Sequence, residues 1–192
     1  MDKEKENIKK INKKLHKNHL SKVNWNWIIK IVLISFIISL FMSFISNTLI
    51  PNISILFGIL VTLIFIFIGI IFDIIGVAVT SSKESVFHSM SARGVKGAKL
   101  AVKFKKNSEK VSSFCCDVIG DICGIVSGAA GTAIALSLSS ILNINLLTTS
   151  IFVAAVIASI TIGGKAIGKS FAINNSNIIL YEFVKIISIF YK

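Results

Sequence analysis

The sequence predicts an all-α polytopic membrane protein with four transmembrane helices and interfacial helices on the cytoplasmic side. Two stretches, Ile31 to Phe72 and Ile122 to Gly164, contain no charged residue. Each is far longer than the ~20 apolar residues that cross a bilayer core. The chain is 54% hydrophobic and only 16% charged, against roughly 45–50% and about 25% in soluble domains. A single proline in 192 residues also suits long uninterrupted helices.

The elements follow in order. Residues 1–24 form a lysine-rich cytoplasmic tail in which Ile8, Ile11, Leu15 and Leu20 recur at roughly helical spacing. That segment reads either as a basic amphipathic helix on an anionic leaflet or as a solvated tail. Trp25 and Trp27 then supply an interfacial aromatic anchor. The first span, about 27–50, is too long for the apolar core of a signal peptide, and no small-residue cleavage site follows it; we expect it to be retained. Pro51-Asn52 marks a turn, and the second span covers about 54–80.

A polar cytoplasmic segment follows at 81–110, in which Gly94 and Gly97 break short surface helices. Lys99, Lys103, Lys105 and Lys106 give it a basic face suited to lipid headgroups. The third span covers about 111–138, Asn143 and Asn145 mark a second uncharged turn, and the fourth span covers about 147–167. From 173 to 192 the pattern is a C-terminal amphipathic helix, since Glu182 and Lys185 interrupt its apolar positions.

Net charge is +12. Neither short turn carries Lys or Arg, whereas both tails and the central segment do. The positive-inside rule therefore places both termini and the central segment in the cytoplasm of a cell-membrane protein. Lysines flanking apolar spans account for the basic balance as topology signals, so a nucleic-acid partner is not expected. Cys115, Cys116 and Cys123 are odd in number and lack a CxxC or histidine partner, which reads as reduced thiols acting as small apolar residues. His88 has no partner ligand in sequence. Without a phosphate-binding loop, GxSxG or HExxH motif, no enzyme activity is expected.

Four ionisable residues interrupt the spans: Asp73, Asp117, Asp121 and Lys165. A charge at the bilayer centre costs at least ~2.5 kcal/mol, so such groups usually face a bundle interior or a water-filled path. Three carboxylates at one layer suit a hard divalent cation such as Mg2+, making Asp73, Asp117 and Asp121 the candidate metal ligands, with Lys165 as charge partner. The competing readings are an ion pair of Lys165 with Asp73 or Asp117 that locks helix register, and a proton relay through the same carboxylates. Gly120, Gly124 and Gly128 repeat at every fourth position, the spacing by which membrane helices pack closely. They lie on one helical face with Asp117 and Asp121 and mark an interface that is either internal or that of a homodimer.

Three blocks carry a family resemblance: FDIIGVAVTSSKESVFHSMSARGVKGAKLAVKF, KVSSFCCDVIGDICGIVSGAAG and IGGKAIGKSFA. Over about three-fifths of the chain, from about Ser54 to Ala172, the pattern resembles the CNNM-type transmembrane domain of the CNNM/CorC magnesium and cobalt transport family. The family usually has three spans and an extracellular N-terminus, so an added first span places this one inside. The resemblance implies transport or sensing of a divalent cation. It does not extend to the family's cystathionine-synthase-type regulatory domains. Gly76 and Lys165 stand where the family has acidic residues, Asp121 where it has Asn, and Gly168 where it has Pro. Those departures lead to an alternative reading, a non-transporting membrane scaffold or partner-binding subunit that retains the fold.

Overall fold

The computed structural model describes residues 25–49 and 54–190; the basic tail at 1–24 and the Pro51-Asn52 turn lie outside them. Every regular element among the described residues is helical. The chain falls into two units, Met1–Ile34 and Ser35–Lys192. Helix α1, Trp25–Leu49, carries one charged residue, Lys30, near its start. Six further helices are α2 (Ile55–Ser81), α3 (Glu84–Ala92), α4 (Ala98–Lys106), α5 (Ser108–Leu142), α6 (Leu146–Asn174) and α7 (Ser176–Phe190). Among the described residues four helices are long and apolar enough to cross a membrane: Trp25–Ile45 within α1, then α2, α5 and α6.

Helices α5 and α6 run well beyond the predicted spans. Lysine and aspartate do not break a helix, so the first charge marks the edge of the apolar layer and not the helix end. Asparagines supply the stops. Asn143 adopts the left-handed conformation (φ 51°) and ends α5. Asn145 Oδ1 accepts a hydrogen bond from the Leu147 amide at 2.9 Å and starts α6. Asn175 Nδ2 donates to the Phe171 carbonyl at 3.2 Å at the other end of α6.

Helices α2, α5 and α6 pack together as a three-helix bundle, and glycines set their spacing. On α2, a Cβ at Gly69 would lie 3.2 Å from Cys123 Cβ of α5. At Gly76 it would meet Cys116 Sγ and stand 3.2 Å from the Ser112 carbonyl. On α6, Gly164 and Gly168 receive Ile70 and Ile74 of α2; a Cβ at Gly168 would lie 2.8 Å from Ile74 Cγ1. Small residues that let side chains and backbone approach closely are the normal means of packing helices in lipid. The pairings 69 with 123 and 76 with 116 make α2 and α5 antiparallel; 70 with 164 and 74 with 168 make α2 and α6 parallel.

Gly120 is buried, with Lys165 Nζ 3.5 Å from where its Cβ would be, but nothing lies within 4 Å of a Cβ at Gly124 or Gly128. Those two glycines lie on a face of α5 turned away from α2. Of Gly120, Gly124 and Gly128 only Gly120 is thus filled within the chain; the close contacts run through Gly69, Gly76, Gly164 and Gly168, and through Gly131 of α5, which receives Ile157 of α6.

At the lysine-rich end, α3, α4 and α7 cover the last turns of α2. Val79, Phe87, Ala101, Leu180 and Val184 are fully buried in one cluster. Full burial of such side chains contributes about 1.5–3 kcal/mol each for the larger ones. Lys105 Nζ donates to the carbonyls of Val79 (3.1 Å) and Thr80 (2.6 Å), capping α2. Burial holds the Lys105 pKa below its ordinary value, with Glu84 acting weakly the other way. The Lys83 amide donates to Asn177 Oδ1 at 2.9 Å and ties the start of α7 to the end of α2. Gly94 and Gly97 take positive φ (72° and 83°) and turn the chain between α3 and α4.

Replacing Gly76 by Val should destabilise the detergent-solubilised protein by about 1–3 kcal/mol, the usual range for overpacking, because a backbone carbonyl stands in the way. Gly124→Ala, with open space for the new methyl, should stabilise the protein by up to about 1 kcal/mol. Denaturant titrations of the two variants beside the parent chain measure both.

Candidate functional site

The uncharged parts of α2, α5 and α6, residues 55–72, 122–142 and 146–164, are each about 20 residues long. At 1.5 Å per residue each covers about 30 Å, the thickness of a hydrocarbon core. The intramembrane charges therefore share one layer at its edge, where all three helices meet the lysine-rich end.

Asp73 is the buried member of that layer. It is 4% exposed, and its Oδ2 is buried without a hydrogen-bond partner among the described residues. Lys169 Nζ lies 3.8 Å from that oxygen, close enough for an ion pair but too far for a hydrogen bond, and its side chain is half exposed. Cys116 Sγ donates to the Asp73 carbonyl at 3.7 Å and lies 3.8 Å from Ser112 Oγ. Gly76, one turn along α2, opens the space that Cys116 occupies.

This stretch of α5 is not a regular α-helix. Residues Phe114–Ile119 form a π-helical turn, closed by the Gly120 amide reaching back to the Cys115 carbonyl. The wider turn holds Cys115 and Val118 inside the bundle and leaves Asp117 exposed. Single π turns within α-helices occur often at functional positions. Here the turn lies directly opposite Asp73.

The expected three-carboxylate centre does not form. Asp117 and Asp121 are both exposed, on the face of α5 that also carries Gly124 and Gly128. Among the described residues no three His, Cys, Asp or Glu side chains come together to hold a metal ion. The reason is helical phase: Cys116 and Cys123 occupy the α5 face turned to α2, and residues 117, 121, 124 and 128 occupy another.

The ion pair also differs from the sequence expectation. The α2–α6 register sets position 168 beside 74, so Lys169 lies level with Asp73. Lys165 falls one turn toward the apolar layer, half-buried against Gly120. Lys165 makes no ion pair among the described residues, and Lys169 is the partner of Asp73. The signal for Lys169 in the sequence was its position four residues after Lys165, on the same face of one helix.

Between α5 and α6 the turned-away glycines leave a groove of about 290 Å³, lined in part by Gly124, Gly128, Thr132, Ser150 and Ala154. No family model, curated protein or solved structure matches the chain.

Lys169→Met strands a buried carboxylate and should cost about 1–3 kcal/mol, below the figure for a fully buried pair because Lys169 is half exposed. The double variant Asp73→Asn/Lys169→Met should recover most of that loss. A double-mutant cycle in detergent reads the coupling, and full additivity of the two single losses would show that the pair does not interact.

Proposed function

We propose that this chain is a membrane carrier or sensor of a divalent cation, magnesium by class, and not an enzyme. Its site would centre on Asp73 at the lysine-rich end of the bundle. The observation that carries this reading is the buried Asp73 oxygen without a hydrogen bond, beside an ammonium that is free to leave. A buried carboxylate normally has its hydrogen bonds met, and exceptions often mark function.

The donor set fits a particular kind of cation binding. Magnesium retains several waters and commonly takes only one or two carboxylates from protein. One buried carboxylate edge suits a largely hydrated ion; it does not suit a cage of three carboxylates. With no cation present, Lys169 balances Asp73. An arriving cation would replace that ammonium, whose flexible stem can carry it outward to the exposed side. Asp117 and Asp121 would contribute only by raising cation concentration at the rim. The likeness of three sequence blocks to CNNM-type domains supports the same reading by analogy. The distribution of lysines supports an orientation with both termini in the cytoplasm.

One observation favours the alternative of a partner-binding scaffold. The α5–α6 groove is lined largely by small residues, Gly124, Gly128, Ser150 and Ala154 among them, the kind of surface against which another membrane helix packs. In that reading the occupant is a second copy of this chain, and the two exposed glycines lie at the interface.

Calorimetry on the purified protein separates the readings. On the cation reading magnesium binds at millimolar or tighter concentration, Asp73→Asn abolishes binding, Lys169→Gln strengthens it, and Asp117→Asn/Asp121→Asn leaves it nearly unchanged. Absence of binding to a folded parent chain would remove the cation reading. On the scaffold reading a single cysteine placed at Gly128, in a chain with its three cysteines replaced by serine, cross-links to its counterpart in membranes, and Gly124→Leu prevents it.

A further inference from the structure

The magnesium reading makes no use of the basic and apolar surface that α4 and α7 present. Helix α4 turns Ala98 and Ala101 fully inward, with Leu100, Val102 and Phe104 packed against the same cluster. Its lysines divide in two. Lys105 is committed to the last carbonyls of α2. Lys99, Lys103 and Lys106 are exposed, spaced four and three apart on one face, and paired with no acidic side chain among the described residues.

Helix α7 packs beside α4, with the rings of Phe104 and Phe183 6.2 Å apart. Its inner face is fully buried through Leu180 and Val184. Its outer face leaves Ile178, Ile186 and Ile189 exposed at 65%, 57% and 74%, eight and eleven residues on from the first and so on one side, where they flank the exposed Glu182–Lys185 ion pair at 3.4 Å. The Lys105 cap ties this pair to the end of α2, where that helix leaves its apolar stretch.

We propose that the α4–α7 pair is a binding surface for acidic phospholipid headgroups of the leaflet at the lysine-rich end. The isoleucines of α7 enter the boundary between headgroups and acyl chains, and the ammonium groups of Lys99, Lys103 and Lys106 take the phosphates. An apolar face and a basic face acting together are the two signals that lasting attachment to a membrane surface requires. A lysine near an anionic surface strengthens binding on the order of fivefold, so three act on the order of 100-fold.

The test is retention of phosphatidylglycerol by the full-length chain in detergent micelles doped with that lipid, counted by native mass spectrometry, with phosphatidylcholine as reference. The triple variant Lys99→Gln/Lys103→Gln/Lys106→Gln should bind phosphatidylglycerol on the order of 100-fold more weakly, with phosphatidylcholine retention unchanged. Lys99→Arg/Lys103→Arg/Lys106→Arg should restore binding, and added salt should weaken it in the parent chain. If the triple variant does not fold, Lys103→Gln alone should show about a fivefold loss. Equal phosphatidylglycerol retention by parent and glutamine variants overturns the proposal. So does displacement of the lipid by inorganic phosphate at matching concentration, which would mark a site for the phosphate group alone.

Discussion

Two isoleucines seated on two glycines set the register on which the charged layer depends. Ile70 and Ile74 of α2 fit over Gly164 and Gly168 of α6, and there is no room for a residue with a Cβ at either glycine without movement. In lipid the hydrophobic effect does not hold helices together, so this fit and its counterparts at Gly69 and Gly76, and at Gly131 against Ile157, carry the packing. Once the register is set, Lys169 is level with Asp73 and Lys165 is not. A slip of one turn would exchange them and bring Asp73 to the less exposed of the two lysines. Such an arrangement would be harder to open, because Lys165 is half-buried against Gly120.

The lysine-rich end is held by different physics. There α3, α4 and α7 enclose a small aromatic and aliphatic cluster, and water-facing surfaces make burial favourable in the ordinary way. Lys105 joins the two regimes: it comes from the cap, and its ammonium satisfies the carbonyls that α2 cannot satisfy alone. The polar layer around Asp73 sits between a lipid-packed bundle and a conventionally packed cap. Each side fixes one wall of the site, which is how a carboxylate without a hydrogen bond persists there.

Much of the fold was legible in the sequence because hydropathy and charge report on the bilayer directly. The four apolar stretches, the Asn143–Asn145 turn, the short helices around Gly94 and Gly97 and the amphipathic helix after Asn174 all have local signatures. The site was legible only in part. Asp73 stood out as a charge in an apolar helix, and so did Asp117 and Asp121, but depth along a helix says nothing of the direction a side chain faces. That direction depends on which face of α5 meets α2, and Cys116, Cys123 and the glycines of α2 decide it. The π turn at Phe114–Ile119 had no local signal at all: its six residues include no proline or glycine, and it lies where α5 packs against Gly76.

The same geometry explains why one acidic residue can matter where three were expected. Three converging carboxylates would repel one another, and at least one would take up a proton unless a cation were bound. A lone carboxylate with a mobile ammonium beside it is neutral when empty, and a cation that replaces the ammonium keeps the local charge within one unit. On the proposed cation reading the lysine is a built-in counterion that yields to a better one. Lys169 is suited to that role by its position in the last two turns of α6, half exposed, with a stem long enough to move its charge into water. Arginine there would form a forked, more persistent bond to Asp73, and on the proposed cation reading the exchange would be lost while the fold remained.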